Sequence, residues 1–83
     1  MFYTYVLQSE KDHRLYIGQT GNLEKRVQQH NAGKNISTKN RRPFILIYYE
    51  EFKTRNEARW REETFKKSHD TLKRAMQQYN TPS

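Results

Sequence analysis

The chain has no cysteine, which excludes a disulfide framework and any metal centre built on thiolates. No apolar run approaches the roughly 20 residues that a membrane-spanning helix requires. The N-terminus lacks a basic segment followed by an apolar one, so no secretory leader is expected. Internal repeats and low-complexity tracts are missing too. Hydrophobic residues make up only 33% of the chain, and a domain of 83 residues leaves much of its surface exposed. Without disulfides, burial of the eleven aromatic residues, six of them tyrosine, has to hold the fold together. The expectation is a single domain, 1–83, in an intracellular, cytoplasmic protein.

Acidic residues are also scarce beside basic ones. Nine Asp and Glu stand against sixteen Lys and Arg, a formal net charge of +7. A field of that sign on so small a surface points to polyanionic partners; a basic surface that serves solubility alone is the competing account. An anionic membrane fits less well, because no segment joins a basic face to a wide apolar one.

What is present begins with Tyr3 to Thr20, two aromatic-rich runs around the polar stretch Ser9 to Arg14, which reads as a β-hairpin. Strand alternation puts Tyr3, Tyr5 and Leu7 on one face and Phe2, Thr4 and Val6 on the other. Tyr5 then lies across from or diagonal to Tyr16, either as a packed aromatic pair or as part of a site. Gly18 to Asn22 forms a turn, with Thr20 or Asn22 capping a helix that carries Leu23, Val27 and His30 along one stripe and ends at Ala32 and Gly33. Arg26 borders that stripe and His30 lies within it, positions open to a solvated flank and a satisfied core histidine.

Lys34 to Arg42 is a basic loop, whose Lys34, Lys39, Arg41 and Arg42 suit phosphate oxygens or are incidental surface charge. Pro43 opens a third strand, Phe44 to Tyr49, whose unbroken apolar run predicts the most buried strand. Thr54 and Glu57 form a capping box for a helix running to about Lys67. On it Ala58, Glu62 and Phe65 share a face, so a carboxylate interrupts an apolar stripe. Desolvating it requires a cation, a metal or a path to water, and a salt bridge to Arg26 or a nearby lysine would suffice. Asp70 is expected to cap a last helix, about 70–79, with Leu72, Ala75, Met76 and Tyr79 on one side and fraying from Asn80 to Ser83.

The ordered set Tyr3-Thr4-Tyr5, Tyr16-Ile17-Gly18, Arg26, His30 and Glu62 resembles the GIY-YIG nuclease domain over Phe2 to about Lys67, above all its small standalone bacterial members. That family also takes in the N-terminal nuclease domain of a repair excinuclease and the homing endonucleases. Tyr3 stands where the first motif has its glycine, and Gln19 where the repair relatives often have lysine. The resemblance implies an α+β fold of order β-β-α-β-α-α, a three-stranded antiparallel sheet flanked by helices, in agreement with the strands and helices read above. It implies hydrolysis of a DNA phosphodiester with one Mg²⁺ or Mn²⁺ ion and no small-molecule cofactor. Glu62 would be the metal ligand, Arg26 would contact the scissile phosphate, Tyr5 and Tyr16 would orient or deprotonate water, and His30 would assist. Gly18, Gln19 and the loop cations would meet nucleic acid. The other classes open to the sequence are a binding module of the same fold without turnover, and a protein-interaction adaptor. A partner protein could supply targeting.

Overall fold

The structure, a computed structural model, describes residues 1–80. Two strands, β1 (Phe2–Ser9) and β2 (Leu15–Thr20), form the hairpin and lead into helix α1 (Leu23–Asn31). A single 3-10 turn at Lys39–Arg41 precedes β3 (Phe44–Phe52), and helices α2 (Arg55–Lys67) and α3 (His69–Asn80) follow. The sheet is antiparallel in the order β2-β1-β3, the α+β arrangement the sequence predicts. Among the described residues no helix is long and apolar enough to cross a membrane.

Local chemistry accounts for the element ends. Asn22 caps α1 by accepting the Lys25 amide N–H at 3.1 Å, and Gly33, at φ +77°, takes the left-handed position past its end. Thr54 accepts the Glu57 amide and donates its hydroxyl to the Glu57 carboxylate at 2.9 Å, the expected capping box. The cap of α3 differs from expectation. Ser68, in extended conformation, accepts the Thr71 amide at 3.2 Å, so α3 starts before Asp70, which pairs with Arg74 instead. The expectations for residues 81–83 and for the Tyr79 side chain lie outside the described residues.

The sheet is covered on both faces. On one, Val6, Ile17 and Tyr48 pack against Phe65 of α2 and Leu72 and Ala75 of α3. On the other, Tyr5, Leu7 and Phe44 meet Tyr16, Leu46 and the Leu23 and Val27 stripe of α1. Being central and covered twice, β1 is the buried strand: Thr4, Tyr5, Val6 and Leu7 are fully inaccessible. The expectation that β3 is the most buried is therefore wrong. It is an edge strand, and Ile45 and Tyr49 are 47% and 42% exposed. Its unbroken apolar run has a different cause. The pairing with β1 shifts register between Val6 and Leu7, which face Tyr48 and Leu46. Ile47 is thus an extra residue, and it joins Tyr48 on the α2 and α3 side.

Candidate active site

Tyr5 sits at the middle of β1, with Gly18 of β2 directly opposite and Tyr16 diagonal to it. The phenol of Tyr5 lies over Gly18, where a Cβ would come within 2.5 Å of its hydroxyl oxygen. Only glycine leaves room for that ring, so the space is filled by Tyr5 and not left open toward a ligand.

Around the Tyr5 hydroxyl, Arg26 Nε donates at 3.4 Å and His30 Nε2 lies at 3.0 Å. The other ring nitrogen of His30, Nδ1, is 2.9 Å from the Thr38 hydroxyl, which donates in turn to the Asn35 carbonyl at 3.4 Å. Proton directions follow by elimination. Tyr5 accepts from Arg26 and sends its own proton to His30 Nε2, leaving Nδ1 protonated as the donor to Thr38. Tyr5, His30 and Thr38 are all fully inaccessible, and no buried side-chain polar atom among the described residues lacks a partner.

Burial dominates the electrostatics of this triplet. It pushes the Tyr5 phenol up to about 12, against the hydrogen bond from Arg26, with Tyr16 and Glu62 acting in the same direction as burial. The hydrogen bond to Tyr5 raises the Arg26 guanidinium. His30 is lowered by burial and then by Arg26, so the imidazole is neutral at neutral pH. Tyr5 is accordingly a neutral donor, and this resolves the ambiguity between the phenols in one respect: Tyr5 has its proton committed.

A second, accessible layer lies outside this triplet. Tyr16 is half-buried, with its ring 4.8 Å from His30 and 6.3 Å from Tyr5, and its hydroxyl makes no hydrogen bond among the described residues. Arg26 spends Nε on Tyr5 and Nη1 on Gln29, which leaves Nη2 without a partner among the described residues. Glu62, on α2, is near enough for its charge to act on Tyr5. Its side chain is 19% exposed, and Oε2 pairs with Lys66 at 2.6 Å, a lysine one helical turn away. An i,i+4 pair of this kind contributes only about 0.3–0.5 kcal/mol, so a stronger cation displaces it readily. Tyr5, Tyr16, Gly18, Arg26 and His30 are thus brought together, with Glu62 at their edge.

The basic loop is tied to the same place through Thr38, but its four cations are not equivalent. Arg41 is committed to Asp12 at 3.2 Å, to the Leu15 carbonyl and to the Phe44 ring. Arg42 donates to the Lys39 carbonyl at 2.8 Å and lies against Gly33. Lys34 and Lys39 are exposed, with no ion pair among the described residues. Lys39 and Arg42 line a polar cavity of about 410 Å³. Gln19, which brings no charge, accepts from Arg55 Nη1 at 3.3 Å, so Arg55 carries a cation to the end of β2.

Of the partners expected for Glu62, the nearby lysine is the one found, Lys66 at the i,i+4 spacing. Arg55, and the buried contact of the loop residue Thr38 with His30, are what sequence reasoning missed. The Thr38 contact left no signal in the sequence, since its burial arises only when the loop folds back on α1.

The family model for the GIY-YIG catalytic domain matches residues 1–80. A UPF0213 protein of Staphylococcus haemolyticus is 48% identical over 61 residues, spanning 72% of this chain and 73% of the relative. A UPF0213 protein of Clostridium perfringens is 46% identical over 68 residues, 81% of this chain and 72% of the relative. The solution NMR structure of a UPF0213 protein from Bacillus halodurans superposes with a TM-score of 0.56 at 28% identity, covering 96% of this chain and 86% of that one.

Proposed function

Because the chain belongs to the GIY-YIG catalytic domain family, a family of nucleases, we propose that it is a DNA endonuclease that hydrolyses phosphodiesters with a divalent metal ion. The observation that carries this reading is the convergence on Tyr5 of Arg26, by hydrogen bond, and Tyr16, by its ring, with the charge of Glu62 near enough to act on the same phenol. A bacterial cytoplasmic setting and a role in DNA repair or recombination complete the proposal. Phosphate contacts carry no sequence information, so cutting is directed by DNA structure or is weakly sequence-specific.

The donor set fits a hard cation. Among the described residues no three acidic or histidine side chains gather into a cage. Mg²⁺, though, keeps several waters and is commonly held by one or two carboxylates. Glu62 offers Oε1, which has no hydrogen bond, and Oε2 once Lys66 swings away. Glu62 would hold Mg²⁺ or Mn²⁺, which supplies Lewis-acid stabilisation of phosphoryl charge and acidifies bound water. Arg26 Nη2 donates to a non-bridging phosphate oxygen and stabilises the charge that grows there. The Tyr16 hydroxyl orients the attacking water by hydrogen bond. Tyr5 and His30 hold Arg26 and the Tyr16 ring in place. Lys34, Lys39, Arg42 and Gln19 steady the flanking strand, with Arg41 beside them held by Asp12.

One observation favours a second reading, a nucleic-acid-binding module of the same fold without turnover: Glu62 has a cationic partner within the protein, Lys66. A cleavage assay over linear, nicked and branched DNA, with Mg²⁺, Mn²⁺ or chelator, separates the two. Wild type is expected to cut at least one substrate in metal only, and Glu62→Gln to bind without cutting. Tight, salt-dependent binding with no cleavage on any substrate would favour the binding module.

A further inference from the structure

Beside β2, two adjoining cavities that share Leu15 and His69 form a trough. The first, of about 570 Å³, is lined by Leu15, Tyr16 and Ile17 and by Arg14, Lys66 and His69. The second, of about 420 Å³, shares Leu15 and His69 and continues along Leu72, Lys73 and Met76 of α3.

The charges around this trough are unbalanced. Arg14, Lys73 and the imidazole of His69 are exposed and make no ion pair or side-chain hydrogen bond among the described residues. Lys66 is half-exposed and bound only to Glu62. The one carboxylate in the lining, Asp70, is occupied by Arg74 at 3.1 Å. Among the described residues nothing neutralises Arg14 and Lys73, so the complementary occupant is an anion. Its shape follows from the rest of the lining, where Leu15, Tyr16 and Met76 are partly exposed beside the cations. A duplex turns only phosphates outward and would leave that apolar surface without a partner, whereas an unpaired strand offers phosphates to the rim and base faces to the floor.

The trough starts at Tyr16, whose ring also rests on His30, so a strand lying in it runs into the candidate site. We propose that this trough binds a single-stranded DNA segment flanking the phosphate held by Arg26, which directs the protein to DNA that is unpaired beside the cleavage point. The proposal rests on the nuclease reading for the location of that phosphate. Lys66 joins the trough when it leaves Glu62, which links strand binding to the freeing of the carboxylate.

Binding measured in chelator tests the trough apart from catalysis. Short oligothymidine is titrated into ¹⁵N-labelled protein, and its affinity is followed by fluorescence anisotropy across a salt series for wild type and for Arg14→Ala/Lys73→Ala. Amide shifts are expected at residues 13–17 and 66–73. The salt slope of the double variant should fall by roughly 1.4, two phosphate contacts at about 0.7 each for single strands, with its spectrum otherwise native. Shifts confined to the Lys34 to Arg42 loop, an unchanged slope, or no binding by wild type would each overturn the proposal. Cleavage with an idle trough would leave the nuclease reading intact, and a bound trough without any cleavage would leave the trough intact.

Discussion

The two faces of the sheet bury side chains of different kinds. Toward α2 and α3 the core is Val6, Ile17, Tyr48, Phe65, Leu72 and Ala75, almost wholly apolar. Toward α1 the apolar packing of Leu7, Phe44, Leu23 and Val27 is interrupted by the hydrogen-bonded series Tyr5, His30 and Thr38. Full burial of a large apolar side chain contributes about 1.5–3 kcal/mol, while a buried hydrogen bond nets about 1 kcal/mol and costs about 1–3 if its partner is lost. The α1 face therefore gives up stability for a fixed geometry, and that geometry holds Arg26 and Tyr16 at the surface. The hydrogen-bonded part of the candidate site belongs to the α1 face, and α2 adds Glu62 from the sheet's other side.

Substitutions on each face sharpen or break that contrast. The largest effect is expected from Phe65→Ala, which empties a fully buried site under Arg61 and should cost about 3–5 kcal/mol in urea unfolding. A loss near zero would deny the α2 face its structural role. Next comes Arg26→Gln on the opposite face, expected to slow cleavage by about 10²–10³ while the unfolding midpoint barely moves. If the variant instead cuts normally but unfolds early, Arg26 belongs to the scaffold. Thr38→Val, which leaves His30 Nδ1 without its acceptor, should destabilise by about 1–3 kcal/mol; His30 amide and ring shifts in NMR would locate the change.

The smallest effects are in the pH dependence. Folding lowers His30, so the unfolded chain binds more protons below the ordinary histidine value, and stability is lost as pH falls through about 6.5. Folding raises Tyr5 to about 12, so the stability it adds is complete below its unfolded value of 10.0 and drains away between the two. Thermal midpoints across pH should show both limbs in wild type, the alkaline one reduced in Tyr5→Phe. Matching profiles for wild type and Tyr5→Phe would remove Tyr5 from the buried network.

Most of this organisation was legible in the chain. The hairpin, the Asn22 and Thr54 caps and the His30 stripe depend on neighbours within a few residues, and periodicity reports such neighbours well. The grouping of Tyr5, Tyr16, Gly18, Arg26 and His30 could be anticipated because family resemblance joined what spacing alone left apart. Other features depend on distant partners. The edge position of β3 is decided by which strand pairs with β1, and its apolar run only reflects a bulge at Ile47. Arg41 looked like a free loop cation because Asp12, its partner, lies 29 residues earlier. Thr38 acquires its role only when the loop closes over the end of α1.

Tyr16→Phe tests the division of labour most directly, since the ring packs on His30 while the hydroxyl is left over for chemistry. Single-turnover cleavage of the best DNA substrate and the unfolding midpoint are measured on the same preparation. The expected result is a midpoint within error of wild type and cleavage lowered by at least about a hundredfold. Cleavage at the wild-type rate would contradict the assignment of the Tyr16 hydroxyl to the reaction.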